Sequence, residues 1–340
     1  MKGEITQACN LCTAEGRLNP DAVGWSRHPF HRCNLSGHRF RKKRWNYWGI
    51  QGERWFFGAG VCDLDYAATG FVYLVDLRRK TVLERSSVNL LGRHCLLGDR
   101  VDSTAAFRGR DVTFSESHLA GGEGVTNLLV TCSRFEGEER LSAALRIEQP
   151  PENEPLGVVV PFDHRRFQYT SKHLALPVSG RVRIGYRDFP FEGPECYATL
   201  DFGRGVWPRK TTWNWGVATG HTGDHLLALN LGGKWTDDTG STENAVSVDG
   251  RLTKIHEDLD WQYDRSDFSR PWRVRAPRSG DVDLLFEPIV DRTARTNALL
   301  VRSEVHQVFG VWSGTVRGED GREIQVPYLL GWAEEHRARW

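Results

Sequence analysis

Short runs in which apolar residues alternate with polar ones dominate the chain, and such runs are typical of β-strands. Gly, Asp and Pro residues separate them, as expected of tight turns between antiparallel strands. Representative runs are residues 71–75, 127–131, 182–186, 246–252 and 281–286. One stretch, residues 165–172, is the single helix candidate. The pattern predicts an all-β protein whose sheets close into barrels or stack on one another.

A tryptophan–asparagine motif occurs twice. Residues 45–48 (Trp-Asn-Tyr-Trp) correspond to residues 213–216 (Trp-Asn-Trp-Gly), and each copy follows basic residues. The copies are 168 residues apart in a chain of 340, which is about half its length. Two related domains explain this spacing more simply than two chance clusters of a rare side chain.

Changes in composition predict the domain boundaries. Residues 1–40 are rich in turn-forming positions and have little periodicity, so we expect a short irregular N-terminal arm packed on the first domain. Residues 149–155 combine three prolines with polar side chains, which is typical of a junction. The predicted organisation is an arm at 1–40, a first domain at 41–155 and a second domain at 156–340.

Charge and composition limit the class of partner. The chain has 45 basic and 44 acidic side chains, so no global field attracts nucleic acid or an anionic membrane. No apolar run approaches the roughly 20 residues of a membrane-spanning helix, and the first residues lack the apolar segment of a signal peptide. Seven cysteines, an odd number, fit reduced thiols better than a disulfide framework. We expect a cytoplasmic protein without nucleic-acid partners or integral membrane segments, and its protein partners stay undetermined.

Five motifs carry a family resemblance that covers nearly the whole chain. They are residues 24–29 (Gly-Trp-Ser-Arg-His-Pro), 43–48 (Lys-Arg-Trp-Asn-Tyr-Trp), 63–66 (Asp-Leu-Asp-Tyr), 203–208 (Gly-Arg-Gly-Val-Trp-Pro) and 241–244 (Ser-Thr-Glu-Asn). Together they resemble the bacterial family called domain of unknown function 2804. That family is similar in turn to the carotenoid 1,2-hydratase (hydroxyneurosporene synthase) and AttH-like superfamily.

The resemblance implies a fold and a range of functions. The implied fold is a pair of lipocalin-like (calycin-type) antiparallel β-barrels side by side. The implied ligands are long apolar molecules, which members either enclose or process by hydration of isoprenoid double bonds or by pericyclic cyclisation. The family label itself carries no assigned reaction.

One departure from the hydratase-like signature bears on catalysis. Those members carry Asp-His-Asn-Trp-Gly, whereas this chain has Thr212 where the acid stands. Protonation of an alkene needs a carboxylic acid that an apolar site keeps neutral, and threonine cannot supply that proton. Asp201, Glu243 and Asp65, together with Asp63, are the candidate acids because they lie in aromatic-rich or strand-like segments. An internal ion pair or a turn position is the structural alternative for these carboxylates.

The residues around the repeated motif are the candidates for ligand contacts. Indole rings could line an apolar cavity or plug the closed end of a barrel, and the amides could face a ligand or pin a loop. Neighbouring basic groups could bind a carboxylate or phosphate head group or lie at solvated strand ends. The candidates are Arg44, Trp45, Asn46, Trp48, Lys210, Trp213, Asn214 and Trp215.

The N-terminal arm contains a Cys-x-x-Cys pair, Cys9 and Cys12, followed by His31 and Cys33. Four such ligands can bind zinc tetrahedrally, but only the first half of this set has the tight spacing of a zinc ribbon. We therefore predict no metal and no cofactor, and we keep the four residues as the weaker alternative.

The predicted function is binding of an apolar or amphipathic small molecule, lipid-like or terpenoid-like, in a barrel cavity. Its enzymatic form would be a lyase or isomerase that uses acid-catalysed hydration, isomerisation or cyclisation. Two alternatives stay open, a lipid carrier without catalysis and a carbohydrate-active enzyme with paired carboxylates. A buried carboxylate facing an apolar cavity would favour the enzyme, and two carboxylates facing an open cleft would favour sugar chemistry.

Overall fold

The computed structural model describes residues 3–119, 124–297 and 301–340. Within them the chain forms 25 strands and one 3₁₀ turn, Pro20–Ala22, so the all-β prediction is confirmed. No helix among these residues is long and apolar enough to cross a membrane. The predicted helix at residues 165–172 is wrong, because from Phe167 onward it is a strand. Both faces of that strand are buried, which hides the polar alternation of a half-exposed strand.

Two of the short strands in the N-terminal arm, β1 (Cys9–Asn10) and β3 (His31–Arg32), pair in parallel. Leu11, Cys12 and Cys33 of the arm are buried in the same apolar cluster as the core of the first sheet. The arm therefore adds side chains to that core.

The first sheet contains fourteen strands. They are β2 (Trp25–Ser26), β4 (Lys42–Gln51), β5 (Trp55–Asp63), β6 (Ala67–Asp76), β7 (Thr81–Leu90), β8 (Cys95–Leu97), β9 (Ala105–Arg108), β10 (Val112–His118), β11 (Val125–Glu136), β12 (Glu139–Glu148), β13 (Leu156–Pro161), β14 (Phe167–Ile184), β15 (Arg187–Phe191) and β16 (Tyr197–Val206). Their order is β7-β6-β5-β4-β16-β14-β12-β11-β10-β9-β8, with β13 and β15 paired to β14 and β2 paired to β13.

The second sheet contains nine strands. They are β17 (Lys210–Thr222), β18 (His225–Gly233), β19 (Asn244–Val248), β20 (Arg251–Ile255), β21 (Asp260–Gln262), β22 (Trp272–Arg275), β23 (Val282–Asn297), β24 (Arg302–Arg317) and β25 (Glu323–Arg339). Their order is β20-β19-β18-β17-β25-β24-β23-β22-β21.

The two copies of the tryptophan–asparagine motif hold equivalent positions. Each lies on the strand that begins a meander of four strands, β4 to β7 or β17 to β20. Each of these first strands also pairs with the last strand of its own sheet in chain order, β16 or β25. The shared topology fits the predicted duplication.

The chain changes sheet between Val206 and Lys210, whereas the sequence predicts a domain junction at 155/156. Strands β14 and β16 follow the proline-rich stretch, yet β14 pairs with β12 and β16 pairs with β4. The prolines therefore mark a connection within the first sheet. Strand β16, which pairs with β4, ends at Val206, so the first sheet extends beyond the predicted junction.

Side-chain hydrogen bonds join distant strands of each curled sheet. Ser87 Oγ of β7 accepts hydrogen bonds from the backbone N–H groups of Asp111 (3.0 Å) and of Val112 (3.1 Å), the first residue of β10. In the second sheet Trp261 Nε1 of β21 donates to the Gly232 carbonyl of β18 at 3.2 Å. We call the two curled sheets the first barrel and the second barrel. They match the expected pair of barrels in tandem.

The barrels pack against each other along a surface that we call the seam. Its core includes Tyr47 from the first barrel and Trp215, Phe309 and Trp332 from the second. A second apolar cluster extends the seam through Trp207 and its aromatic neighbours. The seam therefore unites side chains from both copies of the repeated motif.

Acid is expected to destabilise the first barrel through His173 of β14. Burial, and then the neighbouring His118, lower the pKa of His173 from 6.5 to about 4. A lowered histidine pKa means that the unfolded chain takes up a proton first, so stability is intact above pH 6.5 and is lost as the pH falls toward 4. The loss is on the order of 3 kcal/mol. Denaturant unfolding across this range should show a flatter acid limb for His173→Gln, and the same steep limb for exposed His164→Gln.

Candidate functional site

Strand register places three polar side chains in one row of the first barrel. Tyr47 of β4 lies opposite Asp201 of β16, and Asp201 lies opposite Lys172 of β14. Directly opposed residues point to the same side of a sheet. Because Tyr47 packs in the seam core, the row faces the second barrel.

The second barrel supplies an acid to this row. Glu243 precedes β19 and ends the loop that follows β18. Lys172 Nζ lies 2.9 Å from Asp201 Oδ1 and 3.2 Å from Glu243 Oε2. The Lys172 and Glu243 side chains are only 5% and 2% exposed. We call these three residues the seam cluster.

Three indoles surround the seam cluster. Trp45 Nε1 donates a hydrogen bond to Asp201 Oδ2 at 3.0 Å, and Trp235 Nε1 donates to Glu243 Oε1 at 2.5 Å. The ring of Trp215 lies 4.3 Å from Lys172 Nζ, which is a cation–π contact. The charges therefore lie between apolar ring faces, and the indole N–H groups orient both carboxylates.

Burial and the shared lysine set the protonation of Glu243. Burial raises its pKa, the positive charge of Lys172 opposes this rise, and the negative charge of Asp201 adds to it. Burial also works against the charge of Lys172, but Asp201 and Glu243 outweigh it and the pKa of Lys172 rises. One lysine shared between two acids does not cancel the effect of burial, so the pKa of Glu243 stays raised and the group keeps its proton to a higher pH than an ordinary glutamate does. The site therefore contains the ion pair of Lys172 and Asp201 beside a carboxyl group, that of Glu243, which is suited to donate a proton.

A second lysine lies near the acid. Lys254 Nζ donates to Thr242 Oγ1 at 2.5 Å and to the Ile255 carbonyl at 2.6 Å. Burial lowers the pKa of Lys254 to about 7, although Glu243 acts in the opposite direction. Lys254 and Glu243 therefore influence each other electrostatically.

Gly203 of β16 gives Trp45 the space that it needs. A Cβ at this position would lie 2.1 Å from Trp45 Cε2 and 2.3 Å from Cζ2, because the indole lies across the glycine. Gly203→Ala should therefore displace the ring, break its bond to Asp201 and lower the free energy of unfolding by about 1 to 3 kcal/mol. Tryptophan fluorescence and denaturant unfolding measure both effects. Gly3→Ala, placed where the described structure leaves room, is the control, and an unchanged Gly203→Ala protein would contradict this packing.

The second barrel repeats the indole–carboxylate pair. Trp215 lies opposite Glu334, as Tyr47 lies opposite Asp201. Trp213 Nε1 donates to Glu334 Oε1 at 2.9 Å, as Trp45 does to Asp201. The duplicated motif thus positions one indole N–H on a carboxylate of the neighbouring strand in each barrel.

A family model described as domain of unknown function (DUF2804) matches residues 2–340. The chain belongs to the DUF2804 family. The family resemblance predicted from the five motifs is therefore confirmed. No curated protein matches the chain at a significant level.

One solved structure shares the fold of this DUF2804 protein, and two others are less similar to it. An AttH-like protein of Nitrosomonas europaea is 12% identical, covers 88% of this chain and 93% of its own, and has a TM-score of 0.51. CghA with Sch210972 is 11% identical over 88% of each chain, with a TM-score of 0.48. Kievitone hydratase from Nectria haematococca is 8% identical over 88% of each chain, with a TM-score of 0.47. We base the shared fold on the first of these, because the other two score below 0.5.

The asparagines of the motif point away from the seam, into their own barrels. Asn46 Nδ2 donates to Glu116 Oε2 at 2.8 Å, and Asn46 Oδ1 accepts from Arg204 Nη2 at 2.9 Å. Asn214 Nδ2 donates to Tyr263 OH at 3.1 Å. Alternating residues of a strand face opposite sides, so the asparagines connect strands within a barrel while the flanking indoles line the seam.

The remaining candidates lie apart from the seam cluster. Trp48 is fully buried in the first barrel, and Arg44 Nη2 lies 2.5 Å from Asp63 Oδ2. Asp65 lies in a turn at a φ of 76° and its Oδ1 is 3.5 Å from Lys42 Nζ. Lys210 lies at the start of β17 in a separate open cavity. Of the three proposed catalytic acids, the structure brings together Asp201 and Glu243, and Asp65 lies in a different contact.

The cysteine-containing arm lacks the geometry of a metal site within the described residues, since no three His, Cys, Asp or Glu side chains there form a ligand set. His31 Nε2 is hydrogen-bonded to the Ala22 carbonyl at 2.9 Å. Burial is the main cause that raises the pKa of the Cys12 thiol to about 11. The Cys9, Cys12, His31 and Cys33 alternative is not supported by this arrangement.

Two members of the site, Lys172 and Trp235, are not among the residues that the sequence predicts. Lys172 lies in the stretch whose pattern predicts a helix, so the sequence does not place it opposite Asp201. Trp235 is eight residues before Glu243, and a tryptophan close to a candidate acid is the sequence signal that was available.

Proposed function

We propose that this protein binds an apolar or amphipathic small molecule at the seam and acts on it by acid–base chemistry. The observation that carries the proposal is the seam cluster, in which two carboxylates share one buried lysine between indole rings. Burial raises the pKa of Glu243 in this arrangement, and protonation of a carbon–carbon double bond requires a carboxyl group that an apolar environment holds neutral.

Each group in the site has a definable role. Protonated Glu243 donates its proton to a substrate carbon. The faces of Trp45 and Trp215 and the carboxylate of Asp201 stabilise the positive charge that develops. In a hydration, water adds its oxygen to the cation and returns a proton to Glu243, so the acid is restored. Lys172 pairs with Asp201 and remains charged throughout.

The loop between β18 and β19 is the route by which a ligand reaches the seam. Trp235 and Glu243 lie on it, and it contains left-handed residues at Lys234 (φ 69°), Asp238 (φ 62°) and Gly240 (φ 72°). Movement of this loop would withdraw Trp235 and uncover the acid without opening either sheet. Loops of this kind commonly control access to sites on a β scaffold.

The geometry favours this proposal over sugar chemistry. Glycoside hydrolysis needs two carboxylates on opposite sides of the scissile bond in an accessible cleft. Asp201 and Glu243 instead contact the same ammonium group and are buried. A carrier without catalysis would use the same apolar surroundings but would not need the acid.

Ligand capture followed by turnover tests the proposal. The protein is incubated with a cell extract, re-isolated and denatured, and the released small molecules are identified by mass spectrometry. Wild type should retain apolar or amphipathic compounds, and Trp235→Leu should retain less because it opens the wall of the site. Failure of wild type to retain any such compound would count against binding at the seam.

The acid variant separates enzyme from carrier. Glu243→Gln should still bind the captured compound but lose its conversion, whereas Glu257→Gln, which changes an acid bonded to Ser279 and Arg278, should convert it normally. Equal conversion by wild type and Glu243→Gln would exclude the proposed proton donor. Binding without conversion by wild type would identify a carrier.

A further inference from the structure

An open cavity of about 690 Å³ lies at one end of the second barrel. Four adjacent strands, β17, β25, β24 and β23, supply its walls. The volume falls within the range of about 300 to 1,000 Å³ that holds small molecules in proteins. The cavity is large enough for an organic ligand rather than for a single ion.

Register arranges the charged side chains of this cavity in two rows. Lys210 lies opposite Arg339, and Arg339 lies opposite Arg302. In the second row Arg337 lies opposite Glu304. Residues two apart on a strand face the same side, so the rows form one cationic surface.

The cavity continues the inner face of the second barrel. Lys210, Thr212 and Asn214 occupy alternate positions on β17 and therefore face one side. Asn214 bonds to Tyr263, which stacks on the core residue Trp272 at 4.1 Å between ring centres. We call this cationic opening the barrel mouth. It lies on the opposite face of β17 from the seam, so it is independent of the proposed function.

The barrel mouth has more positive charge than its own acids balance. Of the five cations, Arg295 pairs with Glu304 at 2.8 Å and Arg337 pairs with Glu335 at 2.5 Å. Within the described chain, the other three have no acid within 4.0 Å; they are Lys210, Arg302 and Arg339. The whole chain has a net charge of only +1, so this concentration is local. Like charges held together disfavour the empty site and favour an anion.

The first barrel shows what a closed end looks like. Arg204 of β16 corresponds to Arg337 of β25. Arg204 comes directly after the residue that lies opposite Trp45, and Arg337 comes directly after the residue that lies opposite Trp213. Arg204 is 1% exposed and its Nε donates to the Gly98 carbonyl at 3.0 Å. Cys33 of the arm is buried, and its backbone N–H donates a hydrogen bond to the Asp99 carbonyl. The arm and this turn cover the first barrel end, whereas Arg337 is exposed in the barrel mouth.

We infer that the barrel mouth binds a small molecule that carries more than one phosphate group. Arginine forks bond to phosphate oxygens in pairs, and a phosphate has enough terminal oxygens to bridge several arginines. A carboxylate occupies one fork, so the two rows match a diphosphate better than a single carboxylate. Thr212 adds a hydroxyl within the second row.

Calorimetric titration with inorganic pyrophosphate tests this site. Wild type should bind pyrophosphate, and the Arg302→Gln/Arg339→Gln double variant should bind at least about tenfold more weakly. Raising the ionic strength should weaken wild-type binding. Arg322→Gln, a change at an exposed arginine paired with Asp320, is the control and should bind as wild type does. Absence of pyrophosphate binding, or equal binding by the double variant, would overturn the inference.

Two further titrations define the ligand class and distinguish a local effect from misfolding. Glu304→Gln removes the only acid among the lining residues and should bind pyrophosphate more tightly, a gain that a damaged fold does not produce. Citrate, a polycarboxylate, should bind more weakly than pyrophosphate. Tighter binding of citrate would overturn the assignment to phosphate.

Discussion

Lys172→Met is expected to lower the free energy of unfolding by about 3 to 5 kcal/mol, because it removes the one cation that, among the described residues, contacts both Asp201 and Glu243. Methionine fills a similar volume, so packing changes little and the effect reports charge. Without Lys172 the pKa of buried Glu243 would rise further, because the positive charge that opposes burial and Asp201 is gone. Denaturant unfolding near neutral pH measures the loss.

The pH dependence of this variant provides an internal check. A carboxyl whose pKa is raised in the native state stabilises the fold less as the pH rises, so Lys172→Met should lose more stability at pH 8 than at pH 5. Lys42→Met, which breaks the more exposed pair with Asp65, should cost about 1 kcal/mol or less. A loss of less than about 1 kcal/mol for Lys172→Met would show that the seam cluster is hydrated rather than buried.

Trp332→Ala is expected to cost about 3 to 5 kcal/mol and to loosen the contact between the barrels. Trp332 is 1% exposed in the seam core, and its ring packs edge-on against Trp215 at 5.3 Å and against Phe56 at 6.1 Å between centres. Its ring also lies over Gly49 of the first barrel, whose Cβ would approach it to 2.8 Å. The truncation therefore opens a cavity that both barrels line.

Two observables separate this effect from simple loss of stability. Denaturant unfolding should change from one cooperative transition to a broader one, because the barrels lose a shared core. Trp332→Phe keeps an aromatic ring and should retain most of the stability. A single sharp transition in Trp332→Ala with less than about 1 kcal/mol lost would mean that the seam does not couple the barrels.

The repeated motif made the architecture predictable, because copies of one sequence pattern fold into copies of one strand arrangement. The alternation within the motif also separates its roles, since Trp45 faces the seam and Asn46 faces the first barrel. What sequence could not provide is the partner on the neighbouring strand. Asp201 meets Trp45 and Lys172 through register across β4, β16 and β14, and register depends on distant pairing.

The helix predicted at residues 165–172 and the junction predicted at 149–155 both fall in the part of the chain that follows β12, and the first of them has a physical explanation. Strand β14 is buried on both faces at its start, so apolar and polar residues do not alternate there as they do in half-exposed strands. Aromatic-rich or strand-like surroundings predict Asp201, Glu243, Asp65 and Asp63 as candidate acids, and the structure brings Asp201 and Glu243 together at Lys172.

Infrared spectroscopy of Glu243 tests the central claim, which is that the seam holds a carboxylic acid neutral. The wild-type minus Glu243→Gln difference spectrum isolates the protonated-carboxyl band, which is followed as the pH rises. Glu257 serves as the control. Burial tends to raise the pKa of Glu257, but hydrogen bonds from Ser279 and Arg278 outweigh burial, so this pKa is lowered. The Glu243 band should disappear at a higher pH than an ordinary glutamate band, and the Glu257 band at a lower one. A Glu243 band lost at or below the ordinary pH would contradict the proposed proton donor.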